Sequence, residues 1–395
     1  MGKQKMQALV TIIVPAYNVE KYIRDCLNSL LHQTRMNHKI VIVNDGSIDR
    51  TEEICLEFKK NYEDLITYVY QENKGLGGAR NTGMRYVDTP FLCFLDSDDW
   101  LNSRFVECFS KMVEETDELP DLVFTLPWVY DSITKCVMEW KDKNLYDQIF
   151  EAHSGSSRIV TNTRKRPDLY ALEVNACRKI YKTEFLKKQE FQFPLKLKWE
   201  DVPGHFRLLH EANTCMALPE VGFFYRVNQG GQITSGGGAS RLDMIHIFKQ
   251  LLDVQKKYDF SMVERGYVLR VIVDFSLWSV DVTNQQYIGK LLDGLHELYQ
   301  TFSKEDINYY LCNISPNCRR ERGFINCVCS DEYITLSDYY ERERIMEKYS
   351  EEKPTQSPNT SGKKNIIRGG IQCVCDHGVS YTLIWMFRKY LLRKR

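Results

Sequence analysis

The sequence predicts an α/β fold: a mainly parallel sheet with helices on both faces, followed by a helical C-terminal region. Two observations predict it. Over roughly the first hundred residues, four short apolar runs alternate with stretches of helical periodicity, the pattern of a parallel sheet built from crossover units. Beyond Leu242 that alternation gives way to long helical spacing. With 395 residues, 43% of them apolar, the chain can bury a large core, and a disordered polymer is excluded.

The elements follow in order. Val10 to Val14 is a β-branched run ending at Pro15, hence a buried strand, and Pro15 to Asn18 is its loop. Ile23, Leu27, Leu30 and Leu31 recur at helical spacing between Glu20 and Gln33. Lys39 to Val43 repeats the strand signature, Asn44 to Ser47 makes a turn, and Thr51 to Tyr62 reads as a helix. Thr67 to Tyr70 is a third strand. A glycine-rich loop from Gly75 to Arg80 leads into a helix from about Ala79 to Val87, and Phe91 to Leu95 is a fourth strand stopped by acids. Weaker strands are expected at Asp121 to Thr125 and Met216 to Phe224, with a helix from Trp199 to Glu211. The expected domains are 1–240, with a donor half to about residue 100 and an acceptor half after it; a helical region at 241–350; a linker at 351–364, rich in polar residues; and a basic tail at 365–395.

Lys plus Arg and Asp plus Glu both total 53, so net charge gives no reason to expect nucleic acid as a partner. The first residues lack a secretory signal pattern, and no run reaches the roughly 20 apolar residues that span a bilayer. Thirteen cysteines without a regular framework read as reduced thiols, which places the chain in the cytoplasm. Cys327 and Cys329, with Cys373, Cys375 and His377, lack the usual zinc spacing, and inert thiols are the preferred reading.

Ligands of such sheets bind beyond the carboxyl ends of the strands, so the chemistry is sought there. Asp96-Ser97-Asp98-Asp99 follows the fourth strand directly. Two carboxylates one residue apart at a strand end can hold a hard divalent cation that also binds diphosphate oxygens, although acids also cap helices. Gly75, Gly77 and Gly78 let backbone approach a ligand closely, and Arg80 can pair with phosphate or with the acidic motif.

Val14-Pro-Ala-Tyr-Asn18, Val43-Asn-Asp-Gly-Ser47 with Asp49 and Thr51, Asn73-Lys-Gly75, Ala79-Arg-Asn81 with Gly83, and Leu95-Asp-Ser-Asp-Asp99 occur in one order. That series resembles glycosyltransferase family 2, over roughly the first hundred residues. The resemblance implies a Rossmann-like GT-A fold and an inverting enzyme that takes a UDP-sugar and uses Mn2+ or Mg2+ at Asp98 and Asp96. It implies a nucleotide pocket of Pro15, Ala16, Tyr17 and Asp45, with Tyr17 near the base and Asp45 accepting from a uracil imide. Asn18, Asn73, Gly75, Arg80, Asp96, Ser97, Asp98 and Arg226 are placed around the nucleotide sugar. The family's Glu-Asp pair matches Glu200 and Asp201, which implies Asp201 as the base and Glu200 as its orienting partner; favourable charge in a first helical turn is the competing reading. His205, one turn on, either faces the same cleft or is a satisfied core histidine. Glycines between Tyr225 and Ser240 form a mobile connector or a loop that orders over the donor.

Tyr381 to Arg395 mixes Trp385, Phe387 and leucines with arginines and lysines, as a helix lying in an anionic membrane surface does, or one docked on its own domain. Peripheral attachment to the inner face of the cell membrane would suit a lipid-linked glycan acceptor in polysaccharide synthesis. A processive synthase of the family would carry a Gln-X-X-Arg-Trp motif, absent here. A nucleotidyltransferase would open with a glycine-rich loop where Pro15-Ala-Tyr-Asn18 stands. The remaining alternative is a non-catalytic nucleotide-sugar-binding relative acting as the partner subunit of another glycosyltransferase. Retention of Asp98 and Asp201 argues against it.

Overall fold

The computed structural model describes residues 7–150, 161–229, 236–316 and 318–329. Within them the strands are β1 (Val10–Ala16), β2 (His38–Asn44), β3 (Ile66–Tyr70), β4 (Phe91–Phe94), β5 (Trp100–Leu101), β6 (Leu122–Asp131), β7 (Val137–Glu139), β8 (Lys179–Lys182) and β9 (Cys215–Val227). They form one sheet in the order β3-β2-β1-β4-β8-β6-β9-β5, with β7 paired to β6. β3, β2, β1 and β4 are parallel, β8 runs antiparallel between β4 and β6, and β6 and β9 are parallel. The expected mainly parallel sheet is present. The strand that reverses it, β8, carries a lysine at each end and escaped the apolar-run criterion.

β1 is buried along its whole length because it lies between β2 and β4, which explains a run without polar alternation. It extends through Pro15 and Ala16, which the sequence reading had placed in a loop. The register with β4 stops at Ile13 opposite Phe94, so Pro15, which has no amide hydrogen, falls where that neighbour has ended.

The helices are α1 (Ile23–Leu31), α2 (Thr51–Asn61), α3 (Gly75–Met84), α4 (Phe105–Glu114), α5 (Lys143–Phe150), α6 (Thr183–Lys188), α7 (Asp201–Glu211) and α8 (Asp243–Lys257). The glycine-rich segment, expected as a loop, is the first turn of α3. Close packing outweighs poor helix propensity there. A Cβ on Gly77 would lie 2.2 Å from the Pro194 carbonyl oxygen and 3.2 Å from Glu200 Cγ; on Gly83, 2.4 Å from Ile13. Gly77→Ala is therefore expected to cost about 1–3 kcal/mol in denaturant unfolding, because the obstacle is backbone that cannot swing aside.

The first compact unit ends at Asp259, whereas the sequence reading drew the boundary at 240. α8, with Met244, Ile247, Phe248 and Leu251 among its buried residues, packs on α7 and so belongs to the first unit. The second unit begins at Phe260 and holds α9 (Met262–Val282), α10 (Gln285–Tyr299), α11 (Lys304–Tyr309) and α12 (Arg319–Val328). Ser261 and Glu264 form a capping box at the start of α9. Arg265 pairs with Asp306 at 2.7 Å and Arg320 with Asp281 at 3.0 Å, around a core that includes Leu269, Leu295, Tyr299 and Phe324. The linker and basic tail, with Cys373, Cys375 and His377, lie outside the described residues, as does the middle of the glycine-rich connector. No described helix is long and apolar enough to cross a membrane.

Candidate active site

Four loops gather at the carboxyl ends of β1, β2, β3 and β4, and side chains from the recognised motifs lock them together. Asn18, held at φ 52°, donates its amide to Ser47 Oγ at 3.1 Å and accepts from the Ile48 amide at 2.9 Å. Thr51 Oγ1 accepts from the Val19 amide at 2.8 Å and Asp49 from the Glu20 amide at 3.1 Å. These residues fix the loop after β1 against the loop after β2. Tyr17 is left 48% exposed, an aromatic face open to a partner.

Asp45 is buried, and its Oδ1 accepts from Gln71 Nε2 at 2.5 Å and from the Lys74 amide at 2.8 Å. Oδ2 has no hydrogen bond to another described residue. Asn73 Oδ1 accepts from the Gly75 amide at 3.2 Å, and Gly75 adopts φ 77°, which favours glycine.

The segment after β4 is a turn, in which the Asp99 amide donates to the Asp96 carbonyl at 3.0 Å. Asp96 and Asp98 are half-buried in it, while Ser97 and Asp99 are buried. Ser97, expected around the donor, is 5% exposed. Burial, with repulsion from Asp96, pushes the Asp98 carboxyl up to about 6, against the Gln229 hydrogen bond and Arg226. Burial, then Asp98 and Asp96, raise Asp99 well above the carboxylate range, and the Arg226 amide opposes them.

Arg226, expected around the donor, packs among aromatic rings and against the acidic segment. Its guanidinium lies 4.7 Å from the Trp100 ring centroid, 5.2 Å from Tyr22 and 5.7 Å from Tyr130, and its Nε donates to the Asp98 carbonyl at 2.8 Å. Its amide donates to Asp99 Oδ1 at 2.8 Å. Its place is to fix the acidic segment. Gln229, which donates to Asp98 Oδ2, was not singled out in the sequence, where nothing distinguishes it from a surface glutamine.

Arg80 is 2% exposed and joins the two halves of the site: Nη2 pairs with Asp96 Oδ1 at 2.8 Å and Nη1 with Glu200 Oε1 at 2.6 Å. Phe94 and Phe193 flank it at 5.7 and 5.4 Å. Of the two readings open in the sequence, pairing with the acidic motif is the one adopted. Burial alone would lower its pKa, but Asp96 and Glu200 hold it above the ordinary arginine value.

Trp199, at φ 60°, turns the chain into α7, with Glu200 at the cap and Asp201 in the first turn. Glu200 is buried and committed to Arg80. Asp201 is half-buried, and its carboxylate makes no hydrogen bond or ion pair with another described side chain. Burial raises the pKa of both acids; Arg80 opposes the rise in each, and Lys179 also opposes it in Asp201.

This arrangement of loops gathered at strand ends, strand-end acids and a carboxylate at a helix start matches what is expected of a GT-A fold. Residues 11–180 match the family model described as Glycosyl transferase family 2. Glycosyltransferase GlyA of Streptococcus pneumoniae is 48% identical over 106 residues, 27% of this chain and 15% of its own. Glycosyltransferase EpsJ of Bacillus subtilis is 30% identical over 229 residues, 56% of this chain and 62% of its own. The chain therefore spans less than two thirds of these relatives. TarS 1–349 of S. aureus, solved in complex with UDP-GlcNAc, shares the fold with a TM-score of 0.65 at 18% identity, over 85% of this chain and 92% of that one. Residues 11–180 thus carry a glycosyltransferase family 2 domain, and the fold is the GT-A fold shared with TarS.

Proposed function

We propose that the chain transfers a sugar from a UDP-sugar to a hydroxyl of a glycan acceptor with inversion, Asp201 acting as the base. The observation that carries this reading is the contrast between neighbouring acids. Glu200 is locked to Arg80, while Asp201, one residue on, is half-buried and uncommitted.

On this reading the uracil stacks near Tyr17, and Asp45 Oδ2 accepts from its imide N–H. Asp201 takes the proton of the acceptor hydroxyl as that oxygen bonds to the anomeric carbon. The bond from that carbon to the diphosphate oxygen breaks on the opposite face, and the electron pair leaves with the nucleotide. Glu200 and Arg80 hold the start of α7 against Asp96, so that base and leaving group keep their spacing.

Asp96 and Asp98 would hold Mn2+ or Mg2+. They fit such an ion, being half-exposed carboxylates whose mutual repulsion a cation relieves. Among the described residues no group of three His, Cys, Asp or Glu is placed to bind a metal, so diphosphate oxygens are needed to complete the set. When bound, the ion neutralises charge building on the departing diphosphate. The TarS complex with UDP-GlcNAc, on the same fold, supports the choice of uridine donor.

Calorimetric titration of nucleoside diphosphates tests the donor site. Manganese-dependent binding selective for UDP is expected, with an affinity loss of about tenfold or more in Asp98→Asn, the order of 1.4 kcal/mol for one charged ligand contact. Absence of binding by any nucleotide would sink this reading and favour the non-catalytic relative. A lipid-linked acceptor and a membrane surface rest on the pattern of Tyr381 to Arg395 alone.

A further inference from the structure

Beside the start of α7 lies a small, partly open cavity of about 10 Å³, the space of one water molecule. Its polar lining is Lys179, Tyr181, Asp201 and His205. The placement follows from local geometry: Lys179 and Tyr181 are alternate residues of β8 and share a face, while Asp201 and His205 are four apart on α7 and share another. Gly204 lets Phe191 close the space, since a Cβ there would lie 2.7 Å from its ring.

Lys179 is 2% exposed; its ammonium donates to the Asn175 carbonyl at 3.0 Å and lies 5.6 Å from the Phe124 ring centroid. Tyr181 spends its hydroxyl proton on the Ala176 carbonyl at 3.1 Å. His205 is 3% exposed, and neither ring nitrogen has a hydrogen-bond partner; the Tyr170 carbonyl faces the ring without completing one. Lys179 and Asp201 form no direct ion pair, so any interaction between them crosses the cavity. A lysine buried at a strand start, where an apolar residue would pack more cheaply, requires a compensating charge.

We infer that Lys179 is a positioning residue for Asp201, its ammonium acting across the cavity, with His205 neutral beside it, to keep the base ionised and turned toward the acceptor. This rests on the reading of Asp201 as the base. The charged and titratable groups around the pair act in both directions. Arg80 and Lys179 favour the Asp201 carboxylate, and Asp96 opposes it. Burial, then Arg178, pull the Lys179 ammonium down to about 7, and Asp201, Cys177 and Asp142 keep it from falling further. Burial, Lys179 and Arg178 hold His205 well below its ordinary value, so a neutral ring lies beside the ammonium.

The test is the pH profile of transfer for the full chain, wild type against Lys179→Met and Lys179→Gln, the second in case the first fails to fold. Loss of the ammonium should lower kcat about tenfold or more, leave the donor KM unchanged, and move the acid limb up by about one pH unit, because the carboxylate loses a favourable charge. Lys179→Arg, which keeps the charge, should retain the wild-type limb. An acid limb unmoved in the charge-removing variants overturns the proposal, whatever happens to stability. A double-mutant cycle with Asp201→Asn, read as unfolding midpoints at pH 7, needs no turnover: non-additive shifts support the coupling and additive shifts overturn it. If the wild type transfers no sugar, the functional reading fails while the cycle still reports on the pair.

Discussion

Asp201→Asn is expected to lower kcat for sugar transfer by about 10²–10⁴, the span that a positioned general base contributes. Metal-dependent binding of the nucleotide should persist, because Asp201 makes no bond that holds Asp45, Asp96 or Asp98 in place. The variant changes one carboxylate oxygen for an amide at a half-buried site and leaves Glu200 paired to Arg80. The pH profile supplies an independent check. A base works only as its carboxylate, and burial raises Asp201 above the ordinary aspartate value of about 3.9. Activity should therefore decline on the acid side already above that value, and the residual activity of the variant should lack this limb. An active variant would remove Asp201 from the mechanism.

Arg80→Met should cost about 3–5 kcal/mol of stability, the usual consequence of removing one partner from a buried ion pair. The guanidinium is 2% exposed, and Glu200, with a side chain 5% exposed, would be left as a buried carboxylate without its counter-ion. The cost depends on pH with a definite sign. Arg80 is what opposes the burial-driven rise of the Glu200 pKa, so its removal raises that pKa further above the unfolded value. A group raised in the folded state contributes stability below its unfolded pKa and loses it as pH rises through the folded one. The variant should therefore be more severely destabilised at pH 8 than at pH 5, measurable by denaturant unfolding at the two values. A uniform loss at both would mean that Glu200 is not the group left exposed to the cost.

The parallel half of the sheet was legible because Val10 to Val14, Lys39 to Val43, Thr67 to Tyr70 and Phe91 to Leu95 are short β-rich runs, most of them strongly buried. β8 was not. Two of its four residues are lysines, and nothing local says that Lys179 is buried. The glycine-rich start of α3 was misread for a related reason: its propensity argues for a loop, and only the distant Pro194 carbonyl and Ile13 side chain explain why a helix of glycines sits there. In the site, the acids at 96, 98, 200 and 201 were visible as types in sequence. What joins them was not, since the Arg80 partners lie 16 and 120 positions away. The surroundings of Arg226 were equally hidden, because the rings that enclose it come from Tyr22, Trp100 and Tyr130, on three separate segments.

The tie between Arg80 and Glu200 also sets an order of assembly. A ribosome releases the chain from its amino end, and structure there can form while later residues are still being added. Arg80, Asp96 and Phe94 emerge well before Glu200, so the socket that receives the acidic pair precedes it by about a hundred residues. A nascent chain halted short of residue 200 would carry the loops proposed to face the nucleotide without the proposed base. Glu200 then finds a guanidinium already waiting, and Asp201, the proposed base, is carried into place beside it.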